Sequence, residues 1–168
     1  MPNLRDPQRV ERLARSRRFT ATVGDAGRGR AVILLTFDPD AAWGAKRQHH
    51  VRGTVAGKKV RGPLRLTPDG WALILGAAWL RDNPLPETGT VDVVLEPEGP
   101  QNADLAPDLA AAFESSPQAA AFFASLATFY RKGYLRWLDG ASRRPEIRAR
   151  RVRELVGYLE EGRKERPR

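Results

Sequence analysis

Seven basic side chains lie between residues 46 and 65, and no acidic residue separates them. Apolar residues alternate on both sides of Ala56 and Gly57, which predicts two strands joined by a tight turn. This basic hairpin contains Lys46, Arg47, Arg52, Lys58, Lys59, Arg61 and Arg65. Because cations gathered on one face of a sheet bind phosphate groups, we predict a polyanion-binding surface here. The alternative is a solvated surface whose charges protect a sheet edge from pairing.

A second group of bases lies on the last predicted helix, where six arginines fall within 11 residues. The helical period places Arg148 and Arg151 beside the apolar face. We expect these two to hold the helices together by pairing with the acidic middle of the chain. The other four point away from that face and are available to an anionic partner: Arg143, Arg144, Arg150 and Arg153.

The charge of the whole chain favours the same hypothesis. The 168 residues carry a net charge of +9. Residues 31–65 contribute +5 and residues 131–168 contribute +7, whereas residues 66–130 contribute −8. Such asymmetry indicates an anionic partner, and the phosphate backbone of a nucleic acid is our first hypothesis. Of the 29 bases, 24 are arginine, an excess for which codon bias in a GC-rich genome is the alternative explanation.

Composition excludes several kinds of chemistry. The sequence contains no cysteine, which excludes disulfides, thiolate nucleophiles and iron–sulfur clusters. Its two histidines, His49 and His50, are adjacent, so on a strand they would point to opposite faces and cannot bind one metal ion. We therefore assign no metal site and no cofactor.

No motif of nucleophilic or phosphate-transfer catalysis is present. No serine lies in a Gly-x-Ser-x-Gly elbow, and no Lys-Ser or Lys-Thr follows the glycines at 24–29. The acidic pairs at 38/40 and 96/98 stand beside prolines at predicted strand ends, where turn and capping roles explain them. We name no catalytic residue, and an enzyme whose residues meet in a pocket is only a third hypothesis.

The spacing of the apolar residues predicts which strands and helices carry the candidate side chains. Six segments with a period of two predict strands, and short strands separated by Gly and Pro turns predict a closed six-stranded β-barrel. The expected strands cover residues 19–23, 30–37, 51–55, 60–66, 71–75 and 91–95. Residues 30–37 are apolar on both faces, which is typical of a fully buried strand. Residues 24–29 predict a turn.

After residue 97 the apolar period becomes that of helices. Helices are expected to begin near residues 107, 117, 128 and 145, three of them at prolines. The fold class is therefore α+β, a barrel followed by a small helical bundle. The predicted parts are an N-terminal basic helix within 1–18 capped by Asp6, the barrel at 19–97, a linker at 98–107, a helical domain at 108–162 and a frayed tail at 163–168.

Limited proteolysis is expected to cut the predicted linker at 98–107 before it cuts inside either domain. Pro, Gly and Asn interrupt both apolar periods in this segment, and exposed linkers are the preferred sites of nicking. The measurement is the order in which fragments appear, identified by mass. A first cleavage inside the barrel would place the boundary elsewhere.

The sequence also allows a different class of function. Trp43, Trp71 and Trp79 fall within the barrel segment, and aromatic rings commonly line ligand pockets. A small molecule or a peptide bound in the barrel mouth, or in a groove between the domains, is therefore the alternative to a polyanion. No apolar segment is long enough to span a membrane, and the first 18 residues are charged throughout. We expect a cytoplasmic location without membrane insertion.

One family pattern is matched in the helical segment. It has the form Arg-x-x-Tyr-x-x-Trp-Ile-x-x-Ala-Lys followed by Thr-Arg-x-x-Arg-Ile, and its positions are filled here by Arg131, Tyr134, Trp137, Leu138, Ala141, Arg148, Arg151 and Val152. Ser142 stands in place of the Lys and Ile147 in place of the Thr. The segment thus resembles the helical domain of the bacterial YdeI/OmpD-associated family.

The resemblance informs the architecture more than the mechanism. Residues 43–66 and 104–109 resemble the small barrel domain of unknown function that often precedes the helical domain. The biochemical function of the family is not established, and its bacteriocin-protection label describes a phenotype. We therefore expect a non-enzymatic intracellular binding protein, related to stress or protection, that contacts an anionic partner.

Overall fold

The computed structural model describes residues 7–87 and 89–168, so the predicted helix cap Asp6 lies outside the described residues. The chain divides into two compact units. The first, here called the β unit, comprises the described residues up to 45 and residues 49–98. The second, the helical unit, comprises residues 46–48 and 99–168.

An antiparallel sheet of seven strands forms the β unit. It contains β1 (Arg17–Thr22), β2 (Gly24–Gly27), β3 (Arg30–Leu34), β4 (His50–Val55), β5 (Lys58–Thr67), β6 (Gly70–Leu75) and β7 (Thr90–Pro97). The strands follow the order β1-β7-β4-β5-β6-β3-β2 across a curled half-barrel. The first and last strands of this order are separated in the chain by Val23 alone.

The prediction of a closed six-stranded barrel is confirmed only in part, because the observed sheet is a curled half-barrel of seven strands. The additional strand is β2, where the sequence indicated a turn. Its glycines give no apolar alternation, yet their backbone pairs with β3. The prediction of a strand buried on both faces at 30–37 is wrong: β3 ends at Leu34, which is 39% exposed, and only Ala31 and Ile33, on one face of the strand, are buried.

Three short helices accompany the sheet: α1 (Pro7–Arg15), α2 (Pro39–Trp43) and α3 (Ala77–Asp82). The start of α2 is fixed by Asp38, whose carboxylate accepts a hydrogen bond from the backbone N–H of Asp40 at 2.9 Å. The core lies on the inner face of the sheet, where Ile33, Val51 and Val93 are fully buried.

The helical unit contains a 3-10 helix (Asn102–Asp104) and four helices: α4 (Pro107–Ser115), α5 (Pro117–Ser125), α6 (Thr128–Asp139) and α7 (Pro145–Glu160). Three of the four begin at proline, which is favoured in the first helical turn because its missing N–H has no helical partner there. Phe123, Leu155 and Leu159 are buried in its core. In the described part of the chain, no helix is long and apolar enough to cross a membrane.

At Gly53, β4 lies too close to β7 to leave room for a side chain. A Cβ atom at this position would lie 1.7 Å from the carbonyl oxygen of Val94 on β7. No real side chain tolerates such a distance from backbone, so β4 lies where it does only because residue 53 lacks a side chain.

We expect Gly53→Ala to lower the free energy of unfolding by about 3 kcal/mol or more, because β4 must move away from β7 to admit the methyl group. Urea or thermal unfolding followed by circular dichroism measures this. Gly76→Ala is the control in the same unit, since nothing lies within 4 Å of its Cβ position, and its cost is expected below about 1 kcal/mol. Equal stabilities of the two variants would contradict the close approach at Gly53.

Candidate functional site

Strands β4 and β5 place part of the basic hairpin on the outer face of the sheet. Val51 and Val55 are fully buried, so Arg52, between them, alternates to the outer face. The antiparallel register sets Arg52 directly opposite Arg61. Lys59, two residues before Arg61 on β5, lies on the same face. Three cations are therefore close together on two neighbouring strands.

Two glutamates hold the two arginines: Glu96 lies near the end of β7, and Glu98 follows that strand directly. Arg52 Nε donates to Glu96 Oε1 at 2.7 Å, and Arg61 Nη2 lies 2.5 Å from Glu98 Oε1. The carboxylate side chains are only 16% and 12% exposed, whereas the arginines are 44% and 72% exposed. Each glutamate thus fixes its guanidinium group from the more buried side and leaves the outer edge of that group accessible to solvent. Sequence analysis missed this role, because nothing local indicates that β7 pairs with β4.

An open groove of about 800 Å3 runs along these strands. Its lining comprises Arg52, Gly53, Thr54, Lys59, Val60, Arg61, Trp79, Glu96 and Glu98. The Trp79 ring comes from α3 and is held by its Nε1–H, which donates to the Lys59 carbonyl at 2.9 Å. The groove therefore combines three cations, two carboxylates and one indole ring.

Two further bases of the predicted hairpin surface lie on β5 outside the groove. Lys58 Nζ donates to the carbonyl of Pro84 at 2.9 Å. Arg65 is exposed, but it lies four residues beyond Arg61, about 13 Å along the strand. Arg65 is therefore too far along β5 to contact the same small ligand group as Arg61.

Lys46 and Arg47 belong to the helical unit and not to the β unit. Lys46 Nζ donates to Gln101 Oε1 at 2.6 Å. Arg47 is exposed and lines a depression together with Gln118 and Glu160. The structure thus brings three of the seven predicted hairpin cations together in the groove.

Arg148 and Arg151 of α7 join this helix to others. Arg148 donates to both carboxylate oxygens of Asp108, at 2.6 and 3.0 Å, and its Nη1 lies 3.6 Å from Asp139. These bonds lower the pKa of Asp108 and raise that of Arg148. Arg151 Nη1 donates to the Trp137 carbonyl at 2.5 Å, and its guanidinium lies 5.2 Å from the centre of the Trp137 ring.

The other arginines predicted near α7 face solvent. Arg150 lies 3.6 Å from Glu154, one turn along the same helix. Arg143, Arg144 and Arg153 are exposed. Among the residues that the structure describes, no carboxylate lies within ion-pair distance of these three.

Two more residues of the family pattern organise α6. Arg131 is buried, with 1% exposure, and its guanidinium donates to the carbonyls of Leu126, at 2.9 Å, and Pro100. Tyr134 is also buried, and its hydroxyl donates to the Arg163 carbonyl at 2.8 Å. Burial raises the pKa of Tyr134 to about 12. These two side chains stabilise the helical unit through hydrogen bonds to main-chain carbonyls.

Of the three tryptophans predicted to line a pocket, the other two do not share the groove with Trp79. Trp43 and Trp71 pack on the buried ring of His49, with ring centres 6.2 and 5.1 Å from it. A hydrogen bond of 2.6 Å joins His49 Nε2 to Asp40 Oδ1. In the described residues, no three acidic or histidine side chains are arranged to hold a metal ion.

Residues 102–162 match the family model described as Bacteriocin-protection, YdeI or OmpD-Associated. The segment from the 3-10 helix to the end of α7 is therefore similar to this family, and the predicted resemblance is confirmed there. The match does not include the β unit, which contains the groove. No curated protein matches the chain.

We expect Asp108→Asn to lower the free energy of unfolding by about 1 kcal/mol at pH 7, because the Asp108 side chain is 43% exposed and solvent screens the ion pair. The hydrogen bonds from Arg148 hold the pKa of Asp108 below its ordinary value of 3.8 in the folded state. Its stabilisation is therefore complete above about pH 4 and is lost as the pH falls through the folded-state pKa.

Urea unfolding at pH 7 and near pH 2 measures the difference between the variant and the wild type. Asp139→Asn is the matched control, since Asp139 lies 3.6 Å from the same arginine and is 75% exposed. Its effect is expected below about 0.5 kcal/mol. A loss at Asp108 that persists at low pH would show that the ion pair is not its cause.

Proposed function

We propose that the β unit binds an anionic ligand in the groove of β4, β5 and β7, and that this ligand is the phosphate backbone of a nucleic acid. The observation that carries the proposal is the placement of Arg52 directly opposite Arg61. Like charges on directly opposed residues of a sheet destabilise it unless other charges compensate. Glu96 and Glu98 supply part of that compensation from the buried side.

The guanidinium groups retain hydrogen-bonding capacity. Each has five N–H donors, and the protein contacts described above occupy one on Arg52 and one on Arg61. A guanidinium fixed by one carboxylate has already lost much of its freedom, so binding an anion costs less conformational entropy. Its planar fork also matches the geometry of a phosphate group. Lys59 adds a third positive charge on the same face.

Trp79 supports a nucleic acid over a simple inorganic anion. Its ring lines the same groove as the arginines and is oriented by its hydrogen bond to Lys59. Stacking of an unpaired base on an aromatic ring contributes about 1–3 kcal/mol and depends little on the base. We therefore infer a preference for single-stranded over double-stranded nucleic acid, without sequence specificity.

A compact anionic small molecule is the second candidate. It is favoured by the two carboxylates of the groove, which leave its lining with three cations against two acids. Such a groove attracts a long polyanion less strongly than the sequence alone indicates. The two candidates differ in salt dependence, since only a polyelectrolyte releases condensed counterions when it binds.

For single-stranded DNA or RNA oligomers, log affinity is expected to fall with log salt concentration with a slope of about −2 to −3, from three phosphate contacts. Arg52→Gln with Arg61→Gln should make that slope shallower by about 1.5 and weaken binding to every sequence alike. Arg52→Lys with Arg61→Lys should keep the slope but lower the affinity several-fold, because the planar forks are lost. Fluorescence anisotropy at several salt concentrations measures all of these.

Arg28→Gln with Arg136→Gln is the matched control, since it removes two exposed charges outside the groove. This variant should keep both slope and affinity close to those of the wild type. Absence of binding at low salt, or an equal loss in the control, would contradict the proposal. Binding of small phosphates with no effect of oligomer length would favour the second candidate.

A further inference from the structure

One face of α6 carries an aromatic surface that the proposed function does not use. Tyr130, Tyr134 and Trp137 follow one another at helical spacings of four and three residues, so they lie along one side of the helix. Gly133 stands three residues after Tyr130 and four before Trp137, on the same side. Phe129, beside them, is 69% exposed, the largest exposure among the large hydrophobic residues that the structure describes. Its ring packs edge-on against Tyr130, with ring centres 5.4 Å apart.

Gly133 opens a notch in this aromatic face. A Cβ atom at this position would meet nothing within 4 Å. The resulting cavity of about 210 Å3 is lined by Phe129, Tyr130, Gly133 and Tyr134 on one side, and by Glu165, Arg166, Pro167 and Arg168 on the other. The chain's own C-terminal segment therefore forms one wall of the notch.

The contacts of that segment are those of a basic peptide on an aromatic surface. Lys164 Nζ lies 5.9 Å from the centre of the Tyr130 ring, and the Arg166 guanidinium lies 5.6 Å from that of Trp137. The Tyr134 hydroxyl donates to the main-chain carbonyl of Arg163. Two side-chain cations and one backbone carbonyl are thus recognised together, a combination that any extended basic segment could supply.

The C-terminal segment is held weakly enough to be displaced. Residues 163–168 are all exposed and form no regular secondary structure. Two exposed cation–π contacts change the equilibrium constant for docking of such a segment by about tenfold, far less than a buried interface does. Because the segment is tethered, even this weak interaction suffices for partial occupancy of the notch.

We propose that the aromatic notch of α6 is a docking site for an arginine- or lysine-containing segment of a partner protein, and that residues 163–168 occupy it as an intramolecular competitor. The occupant is inferred from the chemistry of the segment seated there and from the aromatic rings that its cations contact. The site lies in the helical unit and is independent of the groove in the β unit.

The test uses the full chain and a synthetic peptide with the sequence of residues 162–168, followed by chemical-shift changes of the α6 amides in NMR spectra. Lys164→Gln with Arg166→Gln weakens the internal competitor, and this variant is expected to bind the peptide about fivefold to tenfold more tightly than the wild type does. The same peptide with Gln in place of its Arg and Lys residues should not bind. Arg143→Gln with Arg144→Gln removes the same charge from exposed positions outside α6 and should leave the affinity unchanged.

Gly133→Leu, added to the Lys164→Gln and Arg166→Gln variant, should abolish binding by filling the notch. This substitution replaces a helical glycine with a better helix former at an open position, so the variant is expected to fold. Three results would overturn the proposal: no binding to the Lys164→Gln and Arg166→Gln variant at millimolar peptide, equal tightening in the Arg143→Gln and Arg144→Gln control, or full binding after Gly133→Leu. None of these outcomes bears on nucleic-acid binding by the β unit.

Discussion

The register of β4 between β5 and β7 determines both the core of the β unit and the charge pattern on its outer face. Val51 pairs with Gly62 on one side and Pro97 on the other, and Arg52 pairs with Arg61 and Glu96. A shift by one residue would expose the buried valines and bury the arginine, so the hydrophobic core forbids it. The placement of two arginines opposite each other on β4 and β5 is thus a consequence of core packing, and Glu96 and Glu98 compensate their charge.

Arginine has a different role in the helical unit. The buried guanidinium of Arg131 donates to two main-chain carbonyls, one of them in the segment before the 3-10 helix. A buried charge is tolerated only when its donors are satisfied, so this side chain fixes where that segment meets α6. Gly99 adds to the constraint, since a Cβ atom there would lie 2.7 Å from Thr128 Oγ1. The family pattern therefore marks contacts that maintain the fold.

Local signals predicted the elements well, because they act over a few residues. Prolines at 107, 117 and 145 stand at the first position of three observed helices. The strand β2 was not predictable in this way, since Gly24–Gly27 has no apolar alternation and gains its hydrogen bonds from β3. The carboxylate partners of Arg52 and Arg61 were missed for a similar reason. They come from more than 35 residues later in the sequence, and only the strand order brings them close.

Counting charges along the sequence therefore misjudges what a basic segment offers to a ligand. The seven cations of residues 46–65 divide between two units, and those in the groove share it with two glutamates.

Whether an arginine in an ion pair is accessible to a ligand depends on which partner is more exposed to solvent, the guanidinium group or the carboxylate. In the groove, the carboxylates are nearly buried and the guanidinium groups exposed, so an incoming anion meets positive charge first. At Arg148 the order is reversed: the guanidinium is 17% exposed and its partner Asp108 is 43% exposed, so the ion pair presents its acid to solvent and stabilises helices. An arginine–carboxylate pair thus exposes mainly its cation in the groove of the β unit and mainly its acid at Arg148 in the helical unit.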